Sequence, residues 1–134
     1  MNERIKDKIK ELEKFLQELN EITPNSFEKY AKDFKTKAAC ERYAEKIIES
    51  AVDLAFLAIK EKGLKMPEDE ESSFDILAKV NLIDSGLVEN LKKAKGMRNI
   101  LAHEYGEVDD VVVFNAITEE LIKDVREFIK LIEK

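Results

Sequence analysis

The sequence predicts an all-α protein, an antiparallel four-helix up-and-down bundle with one extra short helix. Three observations predict it. Apolar residues recur at three- and four-residue intervals over most of the chain's 134 residues. Pro24, Gly63, Pro67 and Gly106 fall between the periodic stretches, where helices must end. The single β-branched run, Val111-Val112-Val113-Phe114, has no second strand-like run to pair with. Short loops between long helices favour antiparallel neighbours, which is how a bundle forms.

The elements follow in order. Ile5, Ile9, Leu12, Leu16 and Leu19 make one apolar stripe over residues 2 to 22, with Lys and Glu on the other face. Pro24 breaks this helix, and Ser26 can cap the next. A long helical pattern runs from Phe27 to Lys62, rich in alanine, with a kink or join expected between Phe34 and Lys37. Gly63 suits its C-terminal cap. The acidic run Glu68-Asp69-Glu70-Glu71 reads as a solvated loop leading into a short helix, which Ser72 or Ser73 would cap. Its spacing does not resemble a calcium loop. Asp84 is a good N-cap for a helix from Ser85 to about His103. Asp109 or Asp110 starts the last helix, whose Val112, Val113, Ile117, Leu121, Val125, Phe128 and Ile132 keep a helical register. Apolar residues lie on more than one face of the second and last helices. That excess predicts a dimer through helix faces.

Bulk properties narrow the class. The length fits a single domain over residues 1–134, with a core that needs no staples. Cys40 is the one cysteine, so no intrachain disulfide can form, and a small core residue in a reducing compartment is expected. No apolar run is long enough to span a bilayer, and the charged N-terminus lacks a signal-peptide block, so a cytoplasmic protein with no membrane partner is expected. The net charge of -6 argues against a broad, non-specific grip on nucleic acid. A focused basic site remains compatible with it, because local charge outweighs the sum.

One stretch combines a group that titrates near neutral pH, a fixed cation and a phenol. It is Arg98-Asn99-Ile100-Leu101-Ala102-His103-Glu104-Tyr105, and it holds the only histidine. Histidine exchanges protons at neutral pH, and arginine forks onto phosphate oxygens. Together they meet the needs of metal-free RNA cleavage, in which a 2'-hydroxyl attacks the neighbouring phosphate. On a continuous helix Arg98 and His103 point about 140° apart. A helix end at a dimer seam is therefore expected to bring them to one cleft. Asn99 and His103 share a face, so Asn99 can support the imidazole or be a plain surface residue. Lys92, Lys93 and Lys95 precede the motif and are candidate RNA contacts, although Lys-Lys-x-Lys is common on any exposed helix face. A histidine at a helix C-terminus is also favoured by the dipole alone. No phosphate loop, metal-ligand cluster or Ser-His-Asp set is evident.

Arg98-x4-His103-x-Tyr105 resembles the Arg-x4-His-x-Tyr signature of HEPN proteins. Met97 to Tyr105 is more narrowly similar to the motif of the HepT toxin family. The resemblance extends over almost the whole chain, through the amphipathic first helix, the alanine-rich long helix, the Pro67 loop leading into Phe74-x-x-Leu77, and the Asp109 helix start. It implies a homodimeric HEPN-like bundle with its cleft at the subunit interface. It implies a metal-independent endoribonuclease toxin of a toxin–antitoxin pair, with Arg98 and His103 as the catalytic residues and no cofactor of its own. It implies a minimal nucleotidyltransferase antitoxin, MntA, which uses ATP and magnesium to place AMP on Tyr105. An AMP group beside an RNA cleft would block and repel the substrate. The other reading compatible with the same residues is a non-catalytic HEPN module that is the partner or substrate of a nucleotidyltransferase.

Overall fold

Local side-chain chemistry sets where each helix begins and ends. In the computed structural model, which describes residues 1–103 and 108–134, helix α1 spans Glu3–Ile22. Asn2 caps it by accepting the Ile5 N–H at 2.9 Å. Its stripe of Ile5, Ile9, Leu12, Leu16 and Leu19 is buried, as the spacing predicts. Each such side chain contributes about 1.5–3 kcal/mol of burial free energy.

The long second helix is two. Helix α2 spans Phe27–Lys32 and α3 spans Phe34–Glu61. The join falls at Asp33, one residue before the expected region. Asp33 is extended, with φ -102° and ψ 97°, and its carboxylate accepts the N–H groups of Lys35 and Thr36. An aspartate that can cap competes with helix continuation, and here the cap prevails. At the other end Gly63 takes φ +68°. The Leu64 N–H bonds to the Ile59 carbonyl, and the Gly63 N–H to Lys60, which closes the end as a Schellman motif.

Helix α4 spans Glu70–Lys79. Its cap is Asp69, not Ser72 or Ser73. Asp69 Oδ1 accepts both the Ser72 N–H at 2.8 Å and its hydroxyl at 2.7 Å. An ionised acceptor at a helix N-terminus outcompetes a hydroxyl, and Ser72 is left to donate. Ser73 turns inward and donates to the Glu70 carbonyl. Asn81 ends the segment with φ 61°, a conformation asparagine tolerates better than most residues. Helix α5 spans Ser85–His103, and Asp84 caps it through the Leu87 N–H at 2.8 Å.

Helix α6 spans Asp110–Asn115, capped by Asp109. A π-helical segment, Ala116–Leu121, leads directly into α7, Ile122–Glu133. The run from Val111 to Phe114 is helical, not a strand. The buried residues Val113, Ile117, Leu121 and Val125 are spaced by fours. On a strict α-helix three such steps drift by about 120°. The wider π turn absorbs that drift and keeps the stripe on the core.

One hydrophobic cluster draws on every one of these helices, with Tyr30 from α2 and Val113 from α6. Phe74 of α4 meets Phe128 of α7 edge to face at 5.9 Å. Helices α1 and α3 run antiparallel. The Asn2 N–H donates to Glu61 at the end of α3, while Thr23 reaches Cys40 near its beginning. Met1, Glu61, Leu82 and Ile132 border one surface depression. Helices α1 and α5 therefore start at this end, and α3 and α7 finish there. His103 closes α5 at its other end, past the point where Arg98 meets Glu49 of α3.

Candidate active site at the end of α5

Arg98 lies in the last two turns of α5, and its guanidinium is turned toward α3. Its Nη2 donates to Glu49 Oε1 at 2.9 Å. Its Nη1 donates to Asn99 Oδ1 at 3.4 Å. Its Nε is buried and has no hydrogen-bond partner among the described residues. The Arg98 and Glu49 side chains are 23% and 39% exposed. Solvent therefore screens the pair, which adds on the order of 0–1 kcal/mol to stability. Its larger effect is to fix where the guanidinium points.

His103 is the last residue of α5 and is exposed. The helix does not open before it. Arg98 and His103 thus remain about 140° apart around one helix, as the helical arithmetic requires. Asn99 lies one turn before His103 on the same face, and its carbonyl oxygen faces Arg98. The expected support of the imidazole by Asn99 becomes, in the single chain, a contact with the arginine. Tyr105 and Gly106 lie outside the described residues.

The three lysines do not form one path. Lys92 pairs with Asp75 of α4 at 2.9 Å, and this hydrogen bond holds its ammonium above the usual range. Lys95, one turn on, faces the same acidic edge and, after the Ser72 hydrogen bonds, helps hold the Asp69 carboxyl down. Lys93 points instead into a groove between α5 and the α6–π segment, beside Met97, Val112 and Asp124. Asp124 is buried there and accepts from the Asn90 amide at 3.4 Å.

Glu49 is the neighbour of Arg98 that sequence reasoning missed. It is separated from Arg98 by 49 positions. No local pattern distinguishes it from the other acids of α3. Only the packing of α3 on α5 brings the two together. Among the described residues, no cluster of His, Cys, Asp and Glu side chains is placed to hold a metal ion. No helix among them is long and apolar enough to cross a membrane.

An all-helical chain with an Arg-x4-His segment closing a long helix matches a family model described as ribonuclease HepT-like, over residues 5–132. The chain belongs to the HepT-like family. The mRNA nuclease HepT of Shewanella oneidensis is 28% identical over 134 residues, covering 99% of this chain and 98% of that protein. The tRNA nuclease HepT of Aphanizomenon flos-aquae is 26% identical, covering 85% of this chain and 78% of that one. Among solved structures, a tri-AMPylated HEPN toxin of Shewanella oneidensis in complex with an MNT antitoxin superposes with a TM-score of 0.92. It is 27% identical and covers 99% of this chain and 98% of that one. The HepT-like fold is therefore shared along the whole length, and α5 with its Arg98 and His103 lies within the matched span.

Proposed function

We propose that this chain is a metal-independent endoribonuclease toxin that works as a homodimer. The observation that carries this reading is the end of α5. A guanidinium fixed by Glu49 and an exposed imidazole occupy its last two turns, in a chain of the HepT-like family. His103 takes the proton of a 2'-hydroxyl as that oxygen bonds to the adjacent phosphorus. The bond to the 5'-oxygen breaks, and that oxygen leaves with a proton. The products are a 2',3'-cyclic phosphate and a 5'-hydroxyl end. Arg98 carries the charge that builds on the phosphoryl oxygens, work its planar fork suits. Because Arg98 and His103 diverge on one helix, the complete cleft requires a second copy. A dimer then supplies two imidazoles, one to accept the first proton and one to give the second.

Tyr105 is the regulatory position of this proposal. Its phenol oxygen attacks the α-phosphorus of ATP on a minimal nucleotidyltransferase antitoxin, pyrophosphate leaves, and the phenol proton is lost. Support comes from the tri-AMPylated neighbour solved with its MNT antitoxin. The added anion repels RNA from the site.

The test is cleavage of RNA by the purified protein with a chelator present. Wild type is expected to cut, and His103→Ala to lose about 10²–10⁴ of the rate. Cutting that needs a divalent metal, or that survives in His103→Ala, would overturn the mechanism. Mass spectrometry after co-expression with the antitoxin should show AMP increments that vanish in Tyr105→Phe. Uptake of AMP by a protein that cuts no RNA would instead favour the non-catalytic module.

A further inference from the structure

The α2–α3 junction carries a surface that the site at the end of α5 does not use. Residues 29–37 contain four lysines and one acid, Asp33, in a protein whose net charge is -6. Asp33 is occupied as the α3 cap, accepting from Lys35, Thr36 and the Thr36 hydroxyl. Lys29, Lys32 and Lys35 are exposed, and Lys32 and Lys35 form no ion pair among the described residues. Lys29 donates to the uncharged Asn25 oxygen and forms no ion pair among the described residues. In the middle of these cations stands Phe34. It is 73% exposed, more than any other large hydrophobic side chain described. Its neighbours Phe27 and Tyr30 pack against Phe114 of α6, whereas Phe34 is held outward by the break at Asp33.

The position of this surface matters as much as its composition. Lys37, one turn after Phe34, pairs with Asp110 at 2.9 Å. Asp110 follows His103 by seven positions. Seven residues span at most about 25 Å, so Asp110, which Lys37 meets, lies within that reach of His103.

We propose that Phe34, with Lys32 and Lys35, is a binding platform for single-stranded RNA. The phenyl ring stacks on a base, and the two ammonium groups contact flanking phosphates. An aromatic face accepts any base, so the platform holds the strand without choosing its sequence. An exposed ring flanked by the exposed ammonium groups of Lys32 and Lys35 fits a strand of bases and phosphates better than it fits an apolar protein surface. The proposal rests on the ribonuclease reading, and it assigns that enzyme a substrate contact away from its motif.

The experiment separates the two. Binding is measured by fluorescence anisotropy, with the full-length His103→Ala protein and a fluorescein-labelled single-stranded RNA of mixed sequence. Cleavage by wild type is measured in parallel. Phe34→Ala in the His103→Ala background is expected to weaken binding about tenfold, Phe34→Leu similarly, and Phe34→Trp to restore it. Lys32→Gln with Lys35→Gln should flatten the salt dependence of log K by roughly 1.4, two single-strand phosphate contacts. Wild type that cuts RNA while these variants bind as before overturns the platform and leaves the enzyme. RNA binding that depends on Phe34 in a protein that never cuts upholds the platform and overturns the enzyme. Binding restored by leucine, or a change in oligomeric state on Phe34→Ala with RNA affinity unchanged, identifies a protein contact and overturns the proposal.

Discussion

Arg98 of α5 and Glu49 of α3 are joined by a 2.9 Å ion pair across the helix interface. The pair fixes a cation that would otherwise sweep a wide cone. It also leaves that cation partly compensated. Glu49→Ala is expected to change unfolding free energy by no more than about 1 kcal/mol, because both side chains are partly exposed. RNA cleavage should fall about tenfold or more, since a misplaced group forfeits orientation. Glu49→Gln keeps an acceptor for Nη2 and should recover part of the loss. Melting curves with cleavage rates on the same preparations decide this. A large loss of stability with unchanged specific activity would make the pair structural.

Arg98→Lys separates charge from geometry. The guanidinium bonds to Glu49 through Nη2 and to Asn99 through Nη1, from one rigid plane. An ammonium cannot reproduce that fork. The lysine variant should fold with a melting temperature near that of wild type, and it should cut RNA scarcely better than Arg98→Ala. Activity within a few-fold of wild type would mean that a point charge suffices.

The helices were legible because their signals are local. The stripe in α1, the Asp84 and Asp109 caps and the Gly63 terminus each depend on residues within a few positions. Where competing local signals overlap, spacing alone does not choose between them. Asp33 resembled any exposed acid inside a helical pattern, yet its capping bonds end α2. Ser72 resembled a cap, yet Asp69 three residues earlier accepts from it. The π segment is also written in the sequence, as four buried positions spaced by fours, and a period of 3.6 reads past it. The candidate site is legible in the sequence only in part. Arg98 and His103 stand out by residue type, whereas Glu49 and Asp75 acquire meaning only when α3 and α4 pack on α5.

Cys40 tests how tightly α1 and α3 close. It is fully buried, with its Sγ 3.8 Å from the Thr23 hydroxyl. Burial pushes its thiol up, a shift that the Thr23 hydrogen bond only partly opposes. The thiolate is the reactive form, so the native protein should resist iodoacetamide at neutral pH. Labelling should become rapid and stoichiometric in denaturant. Fast labelling of protein with an intact helical spectrum would mean that the α1–α3 seam opens locally.

The caps at Asp33 and Asp69 predict an acid limb to stability. Both carboxyls are held below the usual range, first by the hydroxyls of Thr36 and Ser72, then by the backbone N–H groups of the same residues. A depressed folded value means the unfolded chain takes up protons first as pH falls. The stabilisation is complete above the unfolded value, about 3.9, and is lost as pH drops through the folded values. Asp33→Ala with Asp69→Ala should therefore lower the melting temperature at neutral pH, and the gap from wild type should narrow below about pH 3. A gap that is constant with pH would mean that the carboxylate charge contributes nothing.

Tyr30 is where packing and hydrogen bonding disagree. Its ring is fully buried, 5.1 Å from Phe114 and 6.5 Å from Phe27, and it fastens α2 to α6. Its hydroxyl is buried without a partner among the described residues, and burial drives the phenol well above its ordinary range. An unmade hydrogen bond of this kind costs about 1–3 kcal/mol. Tyr30→Phe keeps the ring and removes the cost, so denaturant unfolding should show equal or greater stability. Tyr30→Ala removes the ring as well and should lose about 3–5 kcal/mol. Because α2 leads directly into the Asp33 break, loosening it also unsettles Phe34, and the alanine variant should bind single-stranded RNA more weakly while the phenylalanine variant does not. Destabilisation by Tyr30→Phe would mean that the hydroxyl is bonded in solution and that α2 packs on α6 differently from the arrangement described.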